Sequence, residues 1–253
     1  MSPIDKLFPY RRETDGFELF AFPHIAAGPT LFHSLRETAA QAGISLSGAL
    51  LPGRGRRVRE APHRSIHTLL AEIEEAAKSD DFAAFSGDYG LLGHCSGSIV
   101  ALEIARLLVR LPCANPQLLV VCSCRPPELV PDTGTSRLSR EDMFARTAAL
   151  GGMPDALLAD QDFLDLLERP MRADWEVFDG YVHTDSPALP VPILTARGAD
   201  DPTVPAAEQP RWKAQTQGLF RSVELKTDHW MLSDEGSRAL THEISATLSA
   251  IRS

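Results

Sequence analysis

The run Leu91-Leu92-Gly93-His94-Cys95-Ser96-Gly97-Ser98-Ile99-Val100 constrains this chain more than any other. An apolar approach leads into Gly-x-Cys-x-Gly, and an amphipathic pattern follows with Ile99, Leu102, Ala105 and Leu108 on one stripe. A strand that turns sharply into a helix, with one side chain held up at the turn, has this form. The glycines have a steric reason. The raised residue sits in strained backbone, and a Cβ two residues to either side would crowd the turn. The raised residue is a cysteine, so the rest of the chain has to supply a base, an acid and a pocket for a developing negative charge.

Strand and helix patterns alternate around this turn. The periodicities predict a strand at Phe17–Phe22, a helix from about Thr30 to Ala42, a strand from Ile44 to Leu51 and a helix from about Ser65 to Lys78. Tyr89–His94 enters the turn and Ser96–Arg110 leaves it; Leu118–Cys124 is the next strand. Such alternation implies an α/β fold, a mostly parallel central sheet covered by helices on both faces. The alternation then lapses. From about 136 to 185 the pattern is helical without a strand, which predicts a helical lid inserted into a single 253-residue domain. Gly151-Gly152-Met153-Pro154 should break its first helix, with further helices over about 154–159 and 161–181 and a second break at Pro170. A strand at Val191–Ala196, a helix at about Ala206–Gln217, a strand at Ser222–Lys226 and a helix at Glu235–Ile251 complete the expectation.

Composition excludes several classes. The net charge of −9 leaves no overall basic balance to displace counterions from nucleic acid. No apolar run reaches the roughly 20 residues of a membrane span. Met1 to Arg12 lacks the apolar core of a signal peptide, so a cytoplasmic location is expected. Four cysteines at irregular spacing make no disulfide framework. Cys122 and Cys124, read within one strand, would point to the same face, and with no second Cys/His pair at zinc spacing they read as buried small hydrophobes, not metal ligands.

An activated cysteine needs a base in hydrogen-bond reach and a group that orients the base. Two late loops fit. Pro192-Ile193-Leu194-Thr195-Ala196 runs into Arg197-Gly198-Ala199-Asp200-Asp201-Pro202, placing a carboxylate at a strand end. Val223-Glu224-Leu225-Lys226 runs into Thr227-Asp228-His229-Trp230. Cys95, Asp201 and His229 then follow the chain order nucleophile, acid, histidine used by α/β-hydrolases. Asp200 is the alternative orienter, although the Gly-x-x-Asp-Pro spacing favours Asp201. Among the other histidines, His94 is placed to pack behind the nucleophile. Two backbone N–H groups should meet the oxyanion: that of Ser96, at a helix N-terminus, and that of Ile25, in the small-residue loop after the first strand.

At these motifs the chain resembles the type II thioesterases of nonribosomal peptide and polyketide biosynthesis. Phe22-Pro23-His24-Ile25-Ala26-Ala27-Gly28 is similar to that family's Phe-Pro-His-Ala-Gly-Gly block, and Leu51-Pro52-Gly53-Arg54-Gly55-Arg56 to its Leu-Pro-Gly-Arg-Gly block. Leu150-Gly151-Gly152-Met153-Pro154 resembles its lid motif, and Asp200-Asp201-Pro202 and Asp228-His229 match its remaining catalytic loops. The resemblance implies an α/β-hydrolase fold with a mobile lid and no permanently bound cofactor. It implies acyl or aminoacyl substrates on the phosphopantetheine arm of an acyl or peptidyl carrier protein, cleaved through a covalent acyl-enzyme. Ile25 and Ala26 stand where the family has alanine and glycine. Cys95 stands where it usually has serine.

The sulfur has a consequence. Serine turns a thioester into an ester, whereas cysteine retains a thioester that can pass to water, to a second carrier's thiol or to an internal nucleophile. Hydrolytic release through acyl-Cys95 is the first reading; carrier-to-carrier transfer or cyclising release is the alternative. A non-catalytic binding protein on the same scaffold is disfavoured by the complete triad. Carrier docking would call for a basic surface, for which Arg54, Arg56, Arg57 and Arg59, with Arg64, are candidates, either for the carrier or for the phosphopantetheine phosphate. The protein is expected to work as a monomer.

Overall fold

The computed structural model describes residues 2–11, 16–79, 82–151, 153 and 155–252, the side chains of Asp155 and Ala156 excepted. After a short helix α1 (Pro3–Leu7), strands β1 (Phe17–Phe22), β2 (Ile44–Gly48), β3 (Tyr89–His94), β4 (Leu119–Cys122), β5 (Ile193–Gly198) and β6 (Phe220–Leu225) form one sheet in the order β2-β1-β3-β4-β5-β6. Every pairing is parallel. β1, β3, β4 and β5 are buried throughout, which requires helices on both faces.

Those helices are α2 (His33–Gln41), α3 (Ile66–Ser79), α4 (Ser96–Leu108) and α8 (Asp234–Arg252). One core joins α1, α3 and α4 to Phe20, Leu91, Leu119 and Ile193. The other joins α2 and α8 to Leu19, Leu92, Val120 and Leu194. Alternate residues of each strand feed opposite cores, as a period of two demands.

The strand order fixes where a site can form. The chain lays β2 on one side of β1 and then crosses to place β3 on the other, so the loops leaving β1 and β3 diverge. A crevice opens there at the carboxyl ends of the strands. Helices α5 (Arg140–Ala149), α6 (Asp155–Leu158) and α7 (Gln161–Asp179), inserted between β4 and β5, pack over it. Met143, Phe144, Met153, Leu164, Met171 and Trp175 form their own cluster, against which Ile25 and Ala26 of the β1 loop rest.

The structure corrects several sequence expectations. Gly152 and Pro154 lie outside the described residues. Pro170 does not break α7; the carbonyl whose partner it removes is that of Leu166, on a turn whose side chain is exposed. The segment Ala206–Gln215 is a 3₁₀ helix, not an α-helix, since Pro210 removes an N–H from its middle. The first turn of the expected 30–42 helix is likewise 3₁₀, over Pro29–Phe32. Cys122 and Cys124 do not share a face. β4 ends at Cys122, Ser123 turns into the left-handed region at φ 48°, and the two thiols enter opposite cores. Among the described residues no helix is long and apolar enough to cross a membrane, and no group of three or more His, Cys, Asp or Glu side chains is arranged to hold a metal ion.

Candidate active site

Cys95 stands between β3 and α4 at φ 52°, ψ −125°, a conformation costly for a residue with a Cβ. Its surroundings over-determine it. The Cys95 N–H donates to the Cys122 carbonyl (2.8 Å), and its carbonyl accepts from the Ser98 N–H (2.9 Å). The Ser98 hydroxyl, fully buried, lies 2.8 Å from the Gly93 carbonyl and 3.2 Å from that of Cys122. The two flanking glycines are required by contact. A Cβ on Gly93 would lie 2.2 Å from the Ser98 Cα, and one on Gly97 would lie 2.2 Å from the Phe22 carbonyl oxygen.

The expected base and its expected orienter lie after the ends of β6 and β5. His229 Nδ1 lies 2.8 Å from Asp201 Oδ2, with both residues buried. Asp201, not the exposed Asp200, is therefore the carboxylate on the imidazole. Asp201 Oδ1 accepts the Thr203 N–H (2.8 Å), the Thr203 hydroxyl (2.7 Å) and the Val204 N–H (3.3 Å). Burial alone would raise the Asp201 pKa, but hydrogen bonds from His229 and Thr203 carry it down to about 2. For His229 burial opposes the charge, yet the hydrogen bonds with Asp201 and Cys95, and the charges of both, raise it to about 10. With Nδ1–H directed at Asp201, Nε2 is left for Cys95.

His94 and His24 are different. His94 is fully buried, its Nε2 lies 3.0 Å from the His229 carbonyl, and burial holds its pKa well below the usual histidine value. His24 Nδ1 lies 2.8 Å from the Ile25 carbonyl, and burial takes its pKa down to about 4. Both are neutral packing groups. With Trp230 they surround His229, the His24–Trp230 and His229–Trp230 ring centroids each 4.9 Å apart. Trp230 Nε1 also donates to the Leu150 carbonyl, tying the inserted helices to the histidine loop.

Cys95, Ser96, Ile25, Thr203 and His229 open onto one cavity of about 400 Å³. Its remaining wall is largely hydrocarbon from the insertion, including Met153, Leu157, Phe163, Leu167, Met171 and Trp175. Cys124 also borders it, but burial, and after it the charges of Cys95 and Asp201, keep that thiol protonated. The Ile25 N–H faces this region and donates to the Ser96 hydroxyl at 3.1 Å, so in the resting site that oxygen occupies the amide. A thiol against an imidazole that is held by a buried carboxylate can attack a carbonyl carbon, and the imidazole can return the proton to the group expelled.

The basic loop does not form the surface that the sequence suggests. Arg54 and Arg57 are buried. Arg54 is bound to Asp174 of α7; Arg57 is bound to Glu60, Glu72 and the Leu50 carbonyl. They hold the fold together and present no free cation. Arg56 and Arg59 are exposed, and Arg64 reaches Glu176. Sequence reasoning missed Ser98 and Thr203. Thr203, two residues after Asp201, carries a detectable signal, since a hydroxyl there can close a turn on the carboxylate.

Known proteins resemble this chain over most of its length. A profile of the thioesterase domain family matches residues 17–248. Thioesterase PikA5 of Streptomyces venezuelae is 29% identical over 217 residues, spanning 86% of this chain and 76% of that protein. RedJ, a thioesterase of the prodiginine biosynthetic pathway in Streptomyces coelicolor, superposes with a TM-score of 0.82 at 26% identity, over 91% of this chain and 89% of its own. The type II thioesterase BorB from the borrelidin biosynthetic cluster superposes at 0.81 with 25% identity, over 94% and 96%. With the match running from β1 into the last helix and the parallel sheet shared with solved thioesterases, this chain belongs to the thioesterase family, on the α/β-hydrolase fold.

Proposed function

We propose that this protein is a type II thioesterase of a nonribosomal peptide or polyketide pathway, working through an acyl-Cys95 intermediate on acyl groups borne by the phosphopantetheine arm of a carrier protein. The observation that carries the reading is the contact chain Cys95–His229–Asp201 at the wall of a cavity lined mainly with hydrocarbon. In the first half-reaction His229 Nε2 takes the proton of the Cys95 thiol and the sulfur attacks the thioester carbonyl. The oxygen becomes negative and is met by the Ser96 and Ile25 N–H groups, the carbonyl displacing the Ser96 hydroxyl from the latter. The C–S bond to pantetheine breaks, and its sulfur takes the proton from His229 Nε2. In the second, His229 removes a proton from water, the hydroxide adds to acyl-Cys95, and the tetrahedral species expels the Cys95 thiolate. The sum is thioester plus water giving carboxylic acid plus thiol.

The helical insertion serves as the lid of this one catalytic domain and accommodates the acyl chain. Exposed Arg56 and Arg59 offer the local positive charge that an acidic carrier would meet. The enzyme acts as a cytoplasmic monomer alongside its synthase and needs no bound cofactor.

A second reading is favoured by one atom, the sulfur of Cys95. Acyl-Cys95 keeps the activation of the incoming thioester, so a second carrier's thiol, or a nucleophile within the acyl chain, can replace water at little thermodynamic cost. One incubation separates the readings: acyl-loaded carrier, an empty second carrier and enzyme, followed by intact mass. Hydrolysis predicts free acid with the second carrier unmodified. Acylation of the second carrier with little free acid would replace hydrolysis by transfer, and a cyclised product would replace it by cyclising release.

A further inference from the structure

Asp174, on α7, makes a set of contacts for which the acyl-transfer chemistry has no direct use. Its Oδ2 accepts the Ala26 N–H at 2.7 Å and Arg54 Nη1 at 2.7 Å, and its Oδ1 accepts Arg54 Nη2 at 2.6 Å. Arg54 Nη1 donates onward to the Ala27 carbonyl at 2.9 Å. A carboxylate from the insertion and a cation from the β2 loop thus grip an N–H and a C=O of consecutive residues in the β1 loop. Arg54 is 9% exposed and the Asp174 side chain 13%, so water competes weakly for the paired fork.

The gripped residue is strained. Ala26 lies at φ 64°, in the left-handed region that a Cβ disfavours. The turn is closed by the Ala27 N–H on the His24 carbonyl (3.1 Å), and downstream the Leu31 N–H donates to the Gly28 carbonyl (3.1 Å) at the start of the Pro29–Phe32 helix. If Ala26 relaxed toward negative φ, the upstream peptides, with Ile25, would swing. Ile25 is the residue whose N–H is assigned to the oxyanion, and Ile25 and Ala26 also rest on the apolar cluster of the insertion.

We infer that Arg54 and Asp174 are positioning residues: their pair holds the β1 loop in a strained turn that aims the Ile25 N–H, and makes that aim depend on the insertion being seated. The inference rests on the proposed role of Ile25 in the acyl-Cys95 reaction. When α7 lifts, Asp174 leaves Ala26 and the donor loses its alignment; when α7 closes over an acyl chain, the donor is restored. The site is competent in the closed arrangement alone.

The test follows acylation of Cys95 by hexanoyl-N-acetylcysteamine in stopped reactions read by intact mass. Asp174→Asn keeps the shape and removes the charge. Acylation should slow by about tenfold or more at saturation with KM within about threefold, as misplacement of one oxyanion donor predicts. Adding Ala26→Gly, which makes the turn strain-free without the grip, should recover about fivefold of that loss while leaving the melting temperature at the value of the single variant. A merely structural pair gives no such rescue. Should Asp174→Asn fail to fold, Arg54→Lys, which keeps the charge but loses the fork, carries the same two expectations. Acylation within twofold of wild type in the single variant, or no recovery with Ala26→Gly, overturns the inference. Absence of an acyl adduct in the wild-type protein would instead overturn the proposed function.

Discussion

Asp201→Asn probes the electrostatics of the site most sharply. The wild-type carboxylate is 5% exposed and lies 2.8 Å from His229 Nδ1. The climb of His229 from its usual 6.5 to about 10 corresponds to roughly 5 kcal/mol, to which Asp201 and Cys95 both contribute. Asp201's part of that imidazolium stabilisation, won against the opposing cost of burial, is what the amide cannot supply. The amide can also turn its NH2 toward Nδ1 and fix the wrong tautomer. Acylation at neutral pH should therefore fall by about 10²-fold or more. The rate in wild type should decline as His229 loses its proton near pH 10, because the departing thiol then lacks an acid. In the variant that decline should move down by roughly one to two pH units. The sign extends to stability. The raised His229 pKa stabilises the fold fully below about pH 6.5, and the effect fades as pH rises through about 10; the lowered Asp201 pKa stabilises above about 3.8 and fades as pH falls through about 2. The melting-temperature gap between wild type and variant should therefore be widest between those ranges. Acylation within threefold of wild type, with an unmoved alkaline limb, would refute the reasoning.

Three further outcomes follow from single contacts. Ser98→Ala strips the hydroxyl from two buried carbonyls and should cost about 1–3 kcal/mol in chemical denaturation, with slower acylation because the elbow loosens; unchanged stability would remove Ser98 from the elbow's support. Leu167→Trp places a larger side chain in a cavity of about 400 Å³. The ratio of decanoyl to acetyl kcat/KM on N-acetylcysteamine thioesters should drop by about tenfold, and an unchanged ratio would move the acyl chain elsewhere. Arg56→Glu with Arg59→Glu should raise KM for a carrier-borne substrate several-fold more at low salt than at high; equal loss on the carrier-borne and the N-acetylcysteamine substrate would remove these arginines from docking.

What could be read in the sequence was local. The elbow is specified by residues within five positions of one another, and the late loops by a strand pattern followed at once by Asp or His. Those signals put Cys95, Asp201 and His229 each after the carboxyl end of a strand, and the structure brings them together from the ends of β3, β5 and β6. Interactions across long separations could not be read. Arg54 and Asp174 are 120 positions apart, and nothing near either residue distinguishes a buried bidentate pair from a solvated arginine loop and a helix carboxylate. Arg57 is drawn inside by α3 through Glu72, 15 positions away. The Cys-x-Cys reading failed for a backbone reason: alternation holds while a strand continues, and the left-handed turn at Ser123 ends it one residue after Cys122. Pro210 was visible, but a 3₁₀ helix that carries it, with Trp212 fully buried, depends on packing that the sequence does not display.

The central claim is that the Cys95 sulfur carries the acyl group. Wild-type protein and Cys95→Ala, each mixed with hexanoyl-loaded carrier and quenched in acid at early times, should differ in intact mass. Wild type should gain the mass of one hexanoyl group less a proton, mapped to the peptide containing Cys95, and the variant should gain nothing. An acyl adduct that persists in Cys95→Ala, or turnover of the carrier at the wild-type rate by that variant, would contradict the account.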